Sequence, residues 1–267
     1  MLKFISFGSG SSGNCYLLMT PADALLIDLG VGLRGLKKDL RTYGVSLSQI
    51  HHVLITHDHA DHIKSVGSFS HDYQVPVYAT REVHVGINKN YCISQKVTPD
   101  LARFIEKGVT FQVGDFTVTP FGVPHDSSDN VGFFIEAGGT NFCLMTDVGT
   151  VTDEMKGFIS QARNLVIEAN HDEEMVMSGP YPQFLKSRIL SGTGHLSNRN
   201  SAIAVAENMS EELRYVWLCH LSEENNHPEL ARKTVEAVLR GYGIVAGADF
   251  KLEVLKRNTA TGPFDLE

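Results

Sequence analysis

No apolar run in this chain comes near the roughly 20 residues that a membrane-spanning helix needs, so no helical span is expected. Cysteine is scarce as well: Cys15, Cys92, Cys143 and Cys219 stand far apart, without a Cys-x-x-Cys pair, and the polar-punctuated N-terminus is not expected to act as a secretory leader. A reducing, cytoplasmic setting is the expectation. Basic charge is in deficit, with 23 Lys and Arg against 31 Asp and Glu and a net charge of −8. That argues against a broad basic surface holding nucleic acid unaided, though a local patch or bound cations would still attract phosphate. Linkers, low-complexity tracts and obvious short repeats are missing too, so residues 1–267 are expected to form one domain. A chain of this size buries roughly 70 to 75% of its unfolded surface, so a metal, if present, serves chemistry rather than folding.

What is present begins with short strands. Lys3 to Phe7, Cys15 to Met19 and Ala24 to Asp28 alternate with turn residues and predict a β-meander. Leu33, Leu36 and Leu40 recur at helical spacing, with Gly44 at the position of a C-terminal cap. Val53 to Thr56 predicts a buried strand, with a helix from Asp61. Hairpins are expected around Gly114-Asp115 and Gly138-Gly139, strands at Leu165 to Glu168 and Tyr215 to Leu218, and helices at Asn198 to Met209 and Pro228 to Arg240. The second half thus restates the first, hairpins followed by strand and helix.

The chemistry is concentrated after Val53-Leu54-Ile55, where Thr56-His57-Asp58-His59-Ala60-Asp61-His62 packs three imidazoles and two carboxylates together. Neutral imidazole nitrogen and carboxylate oxygen suit zinc, manganese or iron. In an extended segment alternate side chains share a face, so His57, His59 and Asp61 can converge while His62 faces a second position. Without a cation such a cluster would leave imidazoles and carboxylates half-desolvated. Further ligands are expected at the ends of apolar strands, where a rigid sheet presents them: His125, Asp147 and His220. Asp28 also ends a strand and is expected to orient a metal-bound imidazole. His51, His52, His71, His84 and His227 lack such a placement.

Gly8-Ser9-Gly10-Ser11-Ser12-Gly13 matches the glycine pattern of a dinucleotide site, but strand-like Cys15 to Met19 and then Thr20-Pro21 follow where a helix must open. A tight glycine-rich turn is the better reading, and Ser11, Ser12 and Asn14 on it could bind a phosphate.

The spacing T-H-x-H-x-D-H, followed by His125, Asp147 and His220 at strand ends, resembles the metallo-β-lactamase superfamily over nearly the whole chain. The resemblance implies an α/β fold, a four-layer αββα sandwich with a dinuclear site at its edge. It implies one metal on His57, His59 and His125, a second on Asp61, His62 and His220, and Asp147 as the bridge. It says little of substrate, because hydrolases of thioesters, lactams and phosphodiesters share the pattern. Glu168, with Gly194-His195-Leu196-Ser197, is similar to the acid and histidine loops of the phosphodiesterase branch that includes tRNase Z. Ser197 can cap a helix from Asn198, with Arg199 in its first turn, so His195 would stand in a setting favourable to an anion. Asp61, Glu168 and His195 are accordingly the catalytic candidates.

Phe7 to Asn14, Glu168-Ala169-Asn170-His171-Asp172, Tyr181-Pro182, Leu185-Lys186 and His220-Leu221-Ser222 with Asn225-Asn226 resemble the YycJ/WalJ family, which typically has Ser where Ala169 stands. This resemblance implies 5′-to-3′ exonuclease action on DNA with two divalent cations, zinc, manganese or iron. Tyr181, Phe184, Lys186 and Arg188 form an aromatic and basic helix that could touch a nucleic-acid end, and His171 could border the site. The rival readings are an RNase, a small-molecule phosphodiesterase, a thioester hydrolase and a non-catalytic regulatory metal-binding protein.

Overall fold

The computed structural model describes residues 1–266. Strands β1 (Leu2–Gly8), β2 (Cys15–Met19) and β3 (Ala24–Ile27) form the expected antiparallel meander. The sheet then continues by parallel pairing through β4 (His52–Leu54), β5 (Val77–Ala79) and β6 (Ala102–Phe104). Parallel neighbours need crossovers, and these carry α1 (Leu33–Thr42), the short α2 (Ala60–Ile63) with α3 (Val66–Tyr73), and α4 (Arg81–Lys89).

A second sheet follows the same plan. The antiparallel run is β7 (Phe111–Val113), β8 (Phe116–Gly122), β9 (Val131–Ala137) and β10 (Thr140–Met145), with the two expected hairpins. Parallel β11 (Asn164–Glu168), β12 (Tyr215–Cys219) and β13 (Lys251–Val254) extend it. Its connections hold α5 (Asp153–Gln161), α6 (Glu173–Ser178), α7 (Gln183–Ile189), α8 (Asn198–Asn208) and α9 (Pro228–Gly241). The last strand, β14 (Thr261–Leu266), returns to the first sheet beside β1.

Three buried clusters define the layers. Because successive strand residues point to opposite faces, Phe4, Leu18, Leu25 and Leu54 meet Phe133, Leu144, Val166 and Trp217 between the sheets. Their neighbours Ile5, Leu17, Leu26 and Val53 turn outward under Leu36, Leu40, Phe69 and Val83 of the first helical layer. On the other side Cys143, Leu165, Ile167 and Leu218 lie under Met155, Ile159, Val205 and Val235. Strands covered on both faces explain why these segments are continuous apolar runs. The result is the four-layer αββα sandwich, and its parallel strands β3, β4, β10, β11 and β12 all end at one edge. No helix among the described residues is long and apolar enough to cross a membrane.

Candidate metal centre

That edge is where side chains converge, outside the carboxyl ends of parallel strands. His57 and His59 follow β4, and His125 follows β8; their ligand atoms lie within 4.8 Å of one another. The ring nitrogens of His59 and His125 approach to 3.3 Å. Asp61, His62 and His220 form a second such group. Asp61 therefore does not converge with His57 and His59 along an extended segment. The chain becomes helical at Ala60, and α2 swings Asp61 beside His62.

Between the groups stands buried Asp147. Its Oδ2 is 3.2 Å from His62 Nε2, while its Oδ1 is 3.6 Å from His125 Nε2 and 3.5 Å from His220 Nδ1. One carboxylate thus reaches both groups. Asp28 (φ 60), Asp147 (φ 54) and His220 (φ 53), each just beyond a strand, all occupy the left-handed backbone region. Among the described residues Gln74 is the only other non-glycine there. Asp and His tolerate this region better than most residues, at a cost on the order of 1 to 3 kcal/mol each, and such strain clusters at functional sites.

Neighbours fix the rings. Asp28 Oδ2 is 2.7 Å from His62 Nδ1, and the same carboxylate takes the backbone N–H and hydroxyl of Thr56. His125 Nδ1 lies 3.0 Å from the carbonyl of Gly194, which leaves Nε2 facing the group. Close approach is built in by Gly30, where a Cβ would sit 1.5 Å from the carbonyl oxygen of Asp61.

Burial disfavours charge at Asp61, Asp147 and Glu168, yet their neighbours hold all three below the ordinary carboxylate range. Asp147 is held well below the usual range because His220, His62 and His57 outweigh its burial. Glu168 is drawn down to about 2, as its burial is outweighed by His195 and His220. His62, despite burial, is raised to about 10 by Asp147, Asp28 and Asp61. His57 goes the other way, driven well below its ordinary range by burial and by His62. A neutral imidazole is the ligand form, and His57 Nε2 is a buried nitrogen with no partner. An orphaned nitrogen among ionised carboxylates fits a divalent cation, and His57, His59, Asp61, His62, His125, Asp147 and His220 are the residues that could hold it.

Beside this centre, His195 Nδ1 is 2.9 Å from Glu168 Oε1, and Glu168 Oε2 accepts the N–H groups of Val148 and Leu196. Glu168 Oε1 also lies 2.9 Å from His220 Nδ1. Ser197 caps α8, as expected. Positioning groups that sequence reasoning did not single out include Thr56, Ser9 and Asn170: Ser9 accepts the N–H of His220, and Asn170 donates to the His220 carbonyl. Each lay inside a motif already noted, Thr56 before His57, Ser9 in the glycine-rich turn and Asn170 after Glu168, but nothing local gave it a positioning role.

The substrate candidates fare differently. Ser11 and Ser12 are exposed, and Ser12 donates to Asn258. Asn14 is fully buried, its amide 2.9 Å from His62 Nε2 and 3.2 Å from Asp61 Oδ2, so it supports the centre instead of facing a phosphate. His171 is also buried, bridged to Ser197. Lys186 donates to the Met177 carbonyl, and Arg188 pairs with Asp126. Arg199 is exposed on α8 and its charge acts on Tyr242, past the far end of α9. Phe184 is exposed, not core.

A family model described as a beta-lactamase superfamily domain matches residues 24–220. Exodeoxyribonuclease YycJ of Bacillus anthracis is 34% identical over 251 residues, covering 94% of each chain. Exodeoxyribonuclease WalJ of Streptococcus pneumoniae is 35% identical over 259 residues, 97% of this chain and 96% of its own. Among solved structures, the metallo-β-lactamase fold protein YhfI of Bacillus subtilis superposes with a TM-score of 0.71 at 18% identity, covering 97% of this chain and 98% of its own. Zinc-bound PqqB of Methylobacterium extorquens gives 0.72 at 18% identity, over 98% and 100%. Matching in family model, in full-length relatives and in fold, the chain belongs to the metallo-β-lactamase superfamily of metal-dependent hydrolases and, within it, to the YycJ/WalJ family.

Proposed function

We propose that the chain is a dinuclear metal-dependent exodeoxyribonuclease acting from the 5′ end of DNA. The observation that carries the reaction class is the Glu168–His195 pair set against the two ligand groups joined by Asp147. The DNA substrate is supported by near-complete alignment with two exodeoxyribonucleases, and the 5′ polarity by the resemblance to their family. His57, His59 and His125 would hold one divalent cation, zinc or manganese, and Asp61, His62 and His220 another, with Asp147 shared. Such a pair supplies an activated water and neutralises charge building on a phosphate.

The protein's own groups do the rest. Asp28 and Asn14 hold His62 and Asp61 in place, so the centre is assembled before substrate arrives. Glu168 is ionised and buried, holds the Nδ1 side of His195, and keeps that imidazole in its charged form more readily than usual. The remaining nitrogen, Nε2, is then left to protonate the oxygen of the departing nucleotide. A metal-supplemented assay on end-labelled single strands tests the reading. Progressive release from a 5′ end is expected. Preferential release from a 5′-blocked strand would reverse the polarity, and cutting of closed circular DNA would remove the exonuclease assignment. Preference for RNA would favour the RNase reading.

A further inference from the structure

Asp126 directly follows His125, and its Oδ1 lies 3.5 Å from His125 Nε2. The Arg188 guanidinium grips this carboxylate with both edges of its fork, Nε to Oδ2 and Nη2 to Oδ1. The pair is not a core element: the side chains are 47% and 31% exposed. An exposed ion pair contributes little to stability, on the order of 0 to 1 kcal/mol, so it is readily exchanged. Arg188 is nevertheless placed with care. The carbonyl of the next residue, Ile189, accepts the N–H of His195 at 3.0 Å, and the carbonyl of Gly194 meets His125 Nδ1 at 3.0 Å. Gly194 packs so closely on α7 that a Cβ there would sit 2.2 Å from the Arg188 carbonyl. The helix end that carries Arg188 is therefore registered to both His195 and His125. Its charge is felt by the centre as well, since Asp126 first, then Asp147 and Asp61, raise the guanidinium above its ordinary value. The other cation of α7, Lys186, is occupied 2.7 Å from the Met177 carbonyl on the far side of the α6–α7 turn.

We propose that Arg188 is a substrate-phosphate residue, parked on Asp126 and handed over to a phosphate of the strand when the strand enters. A guanidinium fork fits two phosphate oxygens as well as two carboxylate oxygens. Asp126 thus occupies the place of a phosphate and competes with substrate. This inference rests on the phosphodiester reading above.

The test uses the metal-loaded full chain and deoxyoligonucleotides with a 5′-phosphate or a 5′-hydroxyl. Arg188→Ala should raise KM about tenfold, the scale of a lost charged hydrogen bond. It should also flatten the slope of log KM against log salt by about 0.7, one phosphate contact on a single strand. Arg188→Lys should keep the salt slope and recover part of the KM. Asp126→Asn should lower KM, and the double variant should match Arg188→Ala, because a competitor no longer matters once its target is gone. A penalty on both strands assigns Arg188 to an internal phosphate, a penalty on the phosphorylated strand alone to the terminal one. If Asp126→Asn raises KM as Arg188→Ala does, the pair is structural and the proposal falls. Unaltered KM and salt slope in Arg188→Ala overturn it independently of any effect of Asp126 on His125. A wild-type protein that cuts neither strand sinks the nuclease reading and this inference with it; active wild type with indifferent variants sinks this inference alone.

Discussion

Asp28 and His62, one at the end of β3 and the other on α2, are both fully buried and meet at 2.7 Å between Oδ2 and Nδ1. The carboxylate fixes the ring so that Nε2 points at Asp147, 3.2 Å from its Oδ2. Partners of this kind orient a ligand and raise its basicity, and their loss typically weakens metal binding about 10- to 100-fold. Asp28→Asn, which keeps the shape and drops the charge, should show that loss in a chelator-competition titration. Unchanged affinity would mean that the charge of Asp28 is irrelevant to binding. Asp28→Ala should in addition cost about 3 to 5 kcal/mol of stability, because it strands the buried donors of Thr56 and His62.

Asp147 touches both ligand groups, so its replacement should affect both ions. Asp147→Asn is expected to lower total metal content and to leave hydrolysis near background, since the shared negative charge is gone. Elemental analysis showing two tightly held ions in an active variant would refute the bridging role.

His195 shares the Glu168 carboxylate with the ligand His220, but it sits nearer solvent, its side chain 14% exposed against 3% for His220. His195→Ala should retain its metal and lose roughly 100-fold or more in turnover, the scale of a positioned acid. The separation of metal content from kcat is the measurement, and loss of one metal equivalent would make His195 a ligand.

How far sequence reached follows from where each signal lies. The ligand cluster was legible because its spacing is local and each distant ligand ends an apolar strand. Most strands and helices were visible as apolar runs between turn residues. β5, β6, β13 and β14 were not, nor were α3 to α6: β5 and β6 are three residues each, β13 carries Lys251 and Glu253 among its four residues, and β14 carries Pro263 and Asp265 on a sheet edge. Asn14 was misread because a polar residue in a glycine-rich turn looks solvated. Only the fold shows Gly30 letting α2 press against that turn, which buries the amide on Asp61. Arg188 presented a free cation on a surface helix. Its partner Asp126 is 62 positions away, and no local pattern announces such a pairing.

The far end of β3 yields a prediction that does not involve metal. Asp23, next to β3, lies 2.8 Å from His51 Nδ1 and 3.1 Å from His52 Nε2 at the start of β4, and it accepts the N–H groups of Ala24 and of Asp115 in the β7–β8 turn. It therefore ties the two sheets together at the end opposite the centre. Burial raises its pKa, but His51, His52 and the two backbone N–H groups outweigh this and leave it below the ordinary value. The folded state thus binds the proton less tightly than the unfolded one. The stabilisation is complete above an unfolded pKa of about 3.9 and is lost as pH falls through the lower folded value. Asp23→Asn should cost about 1 to 3 kcal/mol at pH 7, the price of weakened charged hydrogen bonds. Because the protonated wild-type side chain resembles the amide, that difference should shrink on acidification from pH 5 to about pH 3. Urea unfolding of both proteins across this range provides the check, and a gap that stays constant with pH would show that ionised Asp23 does not supply the stability.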